Sequence, residues 1–405
     1  MNSVIIVHHH EITLKGDNRR YFERQLLQNI RRILKGLIPP PAITGGYGRY
    51  VLHLEQHHSP DQILRQLSFI FGLANICIGV EIAQSVEQFC SAAVYLLEGQ
   101  AFQTIRVHTV RSDKKFQPGS MAVNGEVGAH LCEHFGVRAN LSKPDETIFI
   151  EIADGTAFVY RSKQPGACGL PSGVSGKVIT LLSAGFDSPV AAWKIMKRGA
   201  TNVFIHFHSM PYTSRHSVDQ VRQIVGVLTQ YQLHSKLYIV PFADLQNEIV
   251  LKTPQHLRVI LYRRFMLRIA ELIAHDEKAE ALVTGEAVGQ VASQTLRNIR
   301  NIEAAVTLPI LRPLSGTDKE ETMALARRIG THDISKEPYD DCCSFLAPRR
   351  PETWSKIDEI MDAESRLDIP LMLEQVLAKI TKEQFSYPSA NEEQETGSSC
   401  ISPYS

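Results

Sequence analysis

The sequence predicts an α/β protein in which a doubly wound parallel-sheet domain, the catalytic one, follows two smaller α+β domains. Three observations carry this. After residue 177, apolar strand-like runs alternate with helical stretches, the pattern of a parallel sheet covered on both faces. Before residue 162, strands and helices come in two shorter groups of mixed order. Between the halves, residues 162–176 are rich in Gly, Pro and Ser, the composition of a linker.

The elements follow in chain order. A strand over 4–7, an amphipathic helix over 20–34 ended by Gly36 and Pro39, a strand over 50–54 and a helical stretch after Pro60 make a first domain over 1–75. A strand over 104–110, a polar turn over 111–117, a helix over 122–134 and strands over 147–151 and 156–160 place a second domain over 76–166. The linker is taken as 167–176. The third domain, 177–380, carries strands over 177–182, 202–207, 236–241 and 281–284, with helices over 190–197, 218–231 and 257–274 between them. Residues 381–405, polar and rich in Ser, Glu and Pro, read as a flexible tail.

Composition narrows the function classes. The 43 Lys and Arg balance the 43 Asp and Glu, so a nucleic-acid surface has to come from local clustering of charge. The start has no cationic segment before a long apolar core, and no run reaches the ~18 apolar residues of a membrane span. The seven cysteines are odd in number and form no CxxC pair, which argues against a disulfide framework or a zinc ribbon and for a reducing cytoplasm.

The sharpest local signal is Ser183-Ala184-Gly185-Phe186-Asp187-Ser188-Pro189, between the apolar run Val178 to Leu182 and the helix that Pro189 opens. Small residues let backbone N–H groups wrap an anion, and the helix N-terminus adds donors and a favourable dipole. The loop therefore reads as a pyrophosphate cradle, against the plainer reading of a capped strand-to-helix turn. Upstream, Gly173-Val174-Ser175-Gly176-Lys177-Val178 imitates a P-loop, but Pro171 replaces its first glycine and Val178 its magnesium-binding hydroxyl.

The 183–188 loop resembles the SGGxDS loop of PP-loop ATP pyrophosphatases, with Ala184 in place of a glycine. A methyl there is compatible with negative φ and costly with positive φ. Further motifs extend the resemblance along the chain: Glu11-Ile12-Thr13-Leu14-Lys15-Gly16, Arg111-Ser112-Asp113-Lys114-Lys115-Phe116, Gly169-Leu170-Pro171-Ser172, His206-Phe207-His208-Ser209, Tyr262-Arg263-Arg264-Phe265, Val283-Thr284-Gly285-Glu286, Gln290 to Thr295 and Asp341-Cys342-Cys343. Together they resemble the tRNA 4-thiouridine synthetase family, in a form lacking the C-terminal rhodanese domain. The resemblance implies a ferredoxin-like domain, a THUMP RNA-binding domain and a PP-loop domain, in that order.

It also implies roles. ATP contacts fall on Leu181, Leu182, Ser183, Gly185, Asp187, Ser188, His206, Phe207, Arg263, Gly285 and Gln294, with Mg2+ on the phosphates and Asp187 organising it. Read alone, His206 suits a core histidine, Gln294 a loop amide and Arg263 a solvated helical face equally well. The sulfur carrier falls on Cys342, with Cys343 as the alternative or a resolving thiol; two small residues filling a core is the plainer reading. Lys15, Arg19, Arg111, Lys114 and Lys115 are candidate phosphate contacts and Phe116 a candidate to stack on a base, with a solvated charged face the equally good plainer reading.

The implied reaction is ATP-dependent transfer of persulfide sulfur to a tRNA uridine, at position 8, through an adenylated base. Implied partners are tRNA, a cysteine desulfurase as persulfide donor and a sulfur-carrier protein of thiamine synthesis. Monomer and homodimer both stay open. The competing readings are another PP-loop adenylating enzyme, which leaves the 76–166 domain unexplained, and a non-catalytic tRNA-binding protein whose loop has decayed at Ala184.

Overall fold

The computed structural model of the protein describes residues 1–388 apart from 10, 47, 154, 341, 343–345, 347, 349 and 350. The chain divides into two compact units, Met1–Leu170 and Pro171–Ser405.

The first unit is built on one nine-stranded sheet. Its strands are β1 (Asn2–His9), β2 (Ile43–Gly46), β3 (Arg49–His53), β4 (Leu73–Ala83), β5 (Thr104–Arg111), β6 (Arg138–Ala139), β7 (Glu146–Ala153), β8 (Thr156–Tyr160) and β9 (Gln164–Pro165). They lie in the order β2-β3-β1-β4-β8-β7-β5-β6, with β9 also paired to β4. Four helices pack on it: α1 (Arg19–Ile33), α2 (Pro60–Ser68), α3 (Val86–Leu97) and α4 (Ser120–Phe135). Helix α1 buries Leu26, Ile30 and Ile33, the i, i+4, i+7 stripe that its sequence spacing demands. Strand β1 buries Val4, Ile5, Ile6 and Val7, so both its faces are covered, as a continuous apolar run predicts.

Strand β4 alters the expected domain boundary. It pairs with β1 along residues 73–81 and with β8 along 79–83, so a division at 75/76 cuts through a strand shared by both halves of the sheet. The linker is also held at both ends. Cys168 N–H donates to the Leu73 carbonyl at 2.8 Å, while the N–H groups of Gly173 and Ser175 donate to the Gly199 carbonyl at 2.9 and 3.1 Å.

The second unit is an α/β domain on a six-stranded sheet. Strands β10 (Lys177–Leu181), β11 (Thr201–His208), β12 (His234–Pro241), β13 (Ala281–Val283), β14 (Ile310–Leu311) and β15 (Thr381–Ser386) lie in the order β14-β13-β10-β11-β12-β15. The first five are parallel. Its main helices are α5 (Asp187–Met196), α6 (His216–Gln232), α7 (Ala243–Lys252), α8 (Arg258–Glu277), α9 (Leu296–Glu303) and α10 (Lys319–Ile329). The chain winds outward from β10 through β11 and β12, then restarts on β10's other side with β13. The crevice at the carboxyl ends of β10 and β13 is therefore the topological switch point, where such sheets bind ligands.

The expected flexible tail is corrected at its start. Residues 381–386 pair antiparallel with β12 as an edge strand, and Glu383 takes two hydrogen bonds from Arg222, at 3.0 and 2.7 Å. An edge strand faces solvent on one side, so its polar composition imitates a tail. Among the described residues no helix is long and apolar enough to cross a membrane.

Candidate active site

A cavity of about 490 Å³ opens at the switch point. The end of β10 contributes Leu181 and Leu182, the end of β11 His206 and Phe207, the residues after β13 Thr284, Gly285 and Glu286, and helix α8 Arg263 and Met266. The 183–188 loop forms one wall and the segment 290–294 another. All eleven residues assigned to ATP from the sequence line this one cavity, and so does Cys342.

The loop is closed on itself by Ser188. Ser183 N–H donates to Ser188 Oγ at 2.9 Å, and the two hydroxyls lie 3.1 Å apart. Ala184 is fully buried and its φ lies outside the left-handed region, so its methyl sits in unstrained backbone. The backbone strain that a residue other than glycine would suffer at positive φ is therefore absent at this position. Of two other glycines, Gly285 cannot carry a side chain and Gly185 can do so only if the Tyr339 side chain moves. A Cβ on Gly285 would lie 2.6 Å from Ser188 N and 2.8 Å from the Asp187 carbonyl carbon, and one on Gly185 would lie 2.8 Å from Tyr339 Oη.

Charge in the site is organised by residues that sequence reasoning did not assign. Lys319, at the start of α10, sets Nζ 2.9 and 3.2 Å from the Asp187 carboxylate oxygens, and Gln290 Nε2 donates to the same carboxylate at 3.0 Å. Arg263 Nη1 donates to Glu286 Oε1 at 2.8 Å, while Glu286 Oε2 accepts from Arg312 Nε at 2.9 Å and from Thr284 Oγ1 at 3.0 Å. Burial alone would raise the Glu286 carboxyl, but Arg263 and Arg312 outweigh it and hold the group below the usual carboxylate range. Arg312 Nη1 also donates to Glu303 Oε2 at 2.7 Å, so two guanidiniums and two carboxylates balance, and Arg263 is the arginine of the cluster that lines the cavity.

Arg263 is thus distinguished from its helical neighbours. Arg264 is 2% exposed and turns away into a bidentate pair with Glu364, at 2.8 and 2.9 Å. His206 sets Nδ1 2.9 Å from the Leu182 carbonyl, which fixes the ring beside the end of β10. Gln294 is buried, and its Oε1 has no partner among the described residues.

Cys342 is buried, and its carbonyl accepts a hydrogen bond from Gln246 Nε2 at 2.7 Å. Gln246 is itself fully buried on α7, and its Oε1 accepts from Ser209 Oγ. Cys343, the alternative carrier, lies outside the described residues.

The basic residues assigned to RNA fall into two groups in the first unit. Lys15 Nζ lies 5.2 Å over the Phe22 ring and Arg19 Nε pairs with Glu23 at 2.8 Å, both at the start of α1. After β5, Arg111 Nη1 donates to the Phe116 carbonyl, and Lys114 and Lys115 are exposed. The Phe116 ring is half-buried with its centroid 5.7 Å from that of Phe89, so it serves the core rather than standing out for a base.

The chain matches the ThiI ferredoxin-like domain over residues 4–77, the THUMP domain over 83–161 and the family described as Thiamine biosynthesis protein (ThiI) over 173–369. It is 39% identical over 381 residues to a probable tRNA sulfurtransferase of Moorella thermoacetica, covering 94% of this chain and 97% of that one. The chain belongs to the tRNA sulfurtransferase family. A second family member, from Thermoanaerobacter pseudethanolicus, is 38% identical over 369 residues, 91% of this chain and 96% of its own. Among solved structures, the crystal structure of a 4-thiouridine synthetase–RNA complex with bound ATP superposes with a TM-score of 0.87 at 34% identity, over 95% of this chain and 100% of that one.

The cavity has the dimensions and mixed lining of a small-molecule site. Its volume is in the usual range for ligand pockets. Leu181, Phe207 and Met266 offer apolar wall, the buried Gln294 Oε1 is an acceptor without a partner among the described residues, and the glycine at 285 lets the end of β13 pack closely on the α5 N-terminus.

Proposed function

We propose that this protein is an ATP-dependent tRNA sulfurtransferase that converts a tRNA uridine, at position 8, to 4-thiouridine. The observation that carries the proposal is the juxtaposition in one cavity of the 183–188 anion loop and the Cys342 thiol. ATP, when bound, supplies the adenylyl group that turns the uracil 4-oxygen into a leaving group.

The chain's own residues divide the remaining work. Backbone donors of 183–188 and the α5 N-terminus hold the phosphates, and Arg263 and Lys319 offset the charge that develops as pyrophosphate departs. Glu286 fixes Arg263 in place, and the Lys319–Asp187 pair fixes the loop's far end. Mg2+ would be carried on the phosphates, with Asp187 and Asp340 the cavity carboxylates to hold it, since the third, Glu286, is taken by Arg263 and Arg312. Asp340 is kept ionised below its ordinary range by the Ser214 N–H it accepts at 3.0 Å.

Cys342 carries the transferable sulfur as a persulfide taken from a cysteine desulfurase. Its terminal sulfur attacks the uracil C4 as the oxygen leaves with AMP. Release of the thiocarbonyl breaks the S–S bond and needs a second thiol, which takes up the Cys342 sulfur as a disulfide. Cys343 or an external thiol fills that role.

The test is to incubate the purified protein with unmodified tRNA, Mg-ATP, cysteine and a cysteine desulfurase, and to look for 4-thiouridine by nucleoside mass spectrometry. Thiolation lost in Cys342→Ser supports the assignment. Tight tRNA binding without thiolation overturns it in favour of a binding protein. The matched family's description also names thiamine biosynthesis. The same persulfide would serve a sulfur-carrier protein there, and a thiamine requirement in a deletion strain tests that second role.

A further inference from the structure

Beside the cavity mouth stands an exposed aromatic whose backbone is unusually well fixed. Trp354 is 64% exposed. Its own N–H donates to Glu352 Oε1 at 2.7 Å, and the carbonyl of Thr353 accepts from Thr295 Oγ1 at 2.9 Å. On either side, the fully buried Asn298 donates to the carbonyls of Glu352 and Ala292, both at 2.8 Å, and Asn301 donates to the carbonyl of Ser355 at 3.0 Å. Two buried asparagines spent on holding a short loop is a large investment of polar groups beneath a side chain that contributes nothing to the core.

The indole is also dressed on one side. The Arg297 guanidinium, on the first turn of α9, lies 4.2 Å over the Trp354 ring. A cation held on an aromatic face at this distance keeps a positive charge next to whatever stacks on the exposed part of the ring. Arg300, one turn along the same helix, is exposed as well.

The platform is coupled to the catalytic cavity through backbone. Asn298 bonds the Ala292 carbonyl, and Ala292 begins the turn Ala292–Gln294 whose last residue lines the cavity. Val291, 50% exposed, lies on the rim between the two.

We propose that Trp354 and Arg297 form a stacking site for a nucleobase of the RNA substrate, one that flanks the base entering the cavity. An unstacked base presents an aromatic face to the indole and a phosphate to Arg297 and Arg300, which is the chemistry by which single-stranded nucleic acid is held without sequence preference. The exposed side chains of Leu296 and Val291 add apolar surface beside the ring, so docking of a polypeptide is the competing outcome that the experiment distinguishes, and the two guanidiniums favour the polyanion. The proposal rests on the reading of the chain as a tRNA-modifying enzyme.

The experiment uses the full-length protein with Trp193→Phe, which leaves Trp354 as the one tryptophan of the two in the sequence. Titration with unmodified tRNA should quench its fluorescence along the same isotherm as tRNA binding followed by anisotropy. In the otherwise wild-type protein, Trp354→Ala should lower kcat/KM for tRNA about 5- to 100-fold, the range of one lost base stack. Trp354→Phe should recover most of it, and the Kd for ATP should not move. Normal thiolation by Trp354→Ala, or tRNA binding that leaves Trp354 emission unchanged, overturns the proposal. Quenching by the persulfide-loaded desulfurase and not by tRNA overturns it in favour of a protein-docking site. Absence of thiolation by the wild type, with tRNA still quenching Trp354, would instead refute the catalytic reading and leave the stacking site standing.

Discussion

Gly285→Ala puts the geometry of the anion loop to its most direct test. Gly285 follows β13, and the methyl would sit 2.6 Å from Ser188 N and 2.8 Å from both the Asp187 carbonyl carbon and Ser188 Cα. All three are backbone atoms at the start of α5, so no side chain can rotate away. Restoring the ~3.5 Å at which nonbonded heavy atoms rest separates the end of β13 from the α5 N-terminus by roughly 0.8 Å. Overpacking of this kind costs about 1–3 kcal/mol, which in a domain of this size lowers Tm by about 2–12 °C. The functional loss should be larger in proportion, because a ~1 Å displacement of a positioning element costs on the order of 10²-fold in rate. The assays are a thermal melt, ATP binding by calorimetry, and kcat/KM for thiolation. Gly226→Ala is the control: it lies inside α6 with nothing within 4 Å of the added Cβ, and should gain stability with activity intact. A Gly285→Ala protein with wild-type ATP affinity and turnover would refute the close-approach argument.

Three further outcomes are expected. Lys319→Met should lower kcat/KM for thiolation by about 10²–10³-fold while Tm stays put, since a partly exposed ion pair to Asp187 contributes under about 1 kcal/mol; parallel melts and kinetics check this. Gln246→Leu removes the hydrogen bonds to the Cys342 carbonyl and the Ser209 hydroxyl in a buried site, which costs about 1–3 kcal/mol, and should speed alkylation of Cys342 by iodoacetamide as read by peptide mass spectrometry. Glu364→Gln strands Arg264 in the core and should cost about 3–5 kcal/mol in urea denaturation. Burial opposes ionisation of Glu364, but Arg264 and Arg268 bring its carboxyl from 4.5 down to about 2. A depressed carboxyl stabilises fully above its unfolded value, so this contribution is complete above pH 4.5 and drains away as pH falls toward 2. The urea midpoint of the wild type should fall across that window, and that of Glu364→Gln should fall less.

The parts legible in the sequence were those whose cause is local. The strand 177–182, the small-residue loop and the helix opened by Pro189 announce themselves in a dozen consecutive residues, and the cavity gathers around them. Lys319 was not legible, because its partner Asp187 is 132 positions away and only the fold brings them together. A signal did exist: a lysine in the first turn of a helix opposes the helix dipole, and a broken local rule marks a functional position. Glu286 stood inside a quoted motif without a role, since the need for it appears only once Arg263 and Arg312 are seen to converge on it. Strand β4 escaped notice because its burial alternates irregularly and its residues straddle the expected boundary. Strand β15 escaped because an edge exposes polar side chains.

Strand β4 has a practical meaning for anyone dissecting this protein. A fragment starting at residue 76 would remove the three residues by which β4 begins and strip β1 from its flank, leaving β4 as a raw, aggregation-prone border. The ferredoxin-like and THUMP segments are better regarded as one rigid gauge than as beads on a string. Because their separation is set by strand register rather than by a tether, the backbone distance between the start of α1 and the end of β5 is written into the sheet itself.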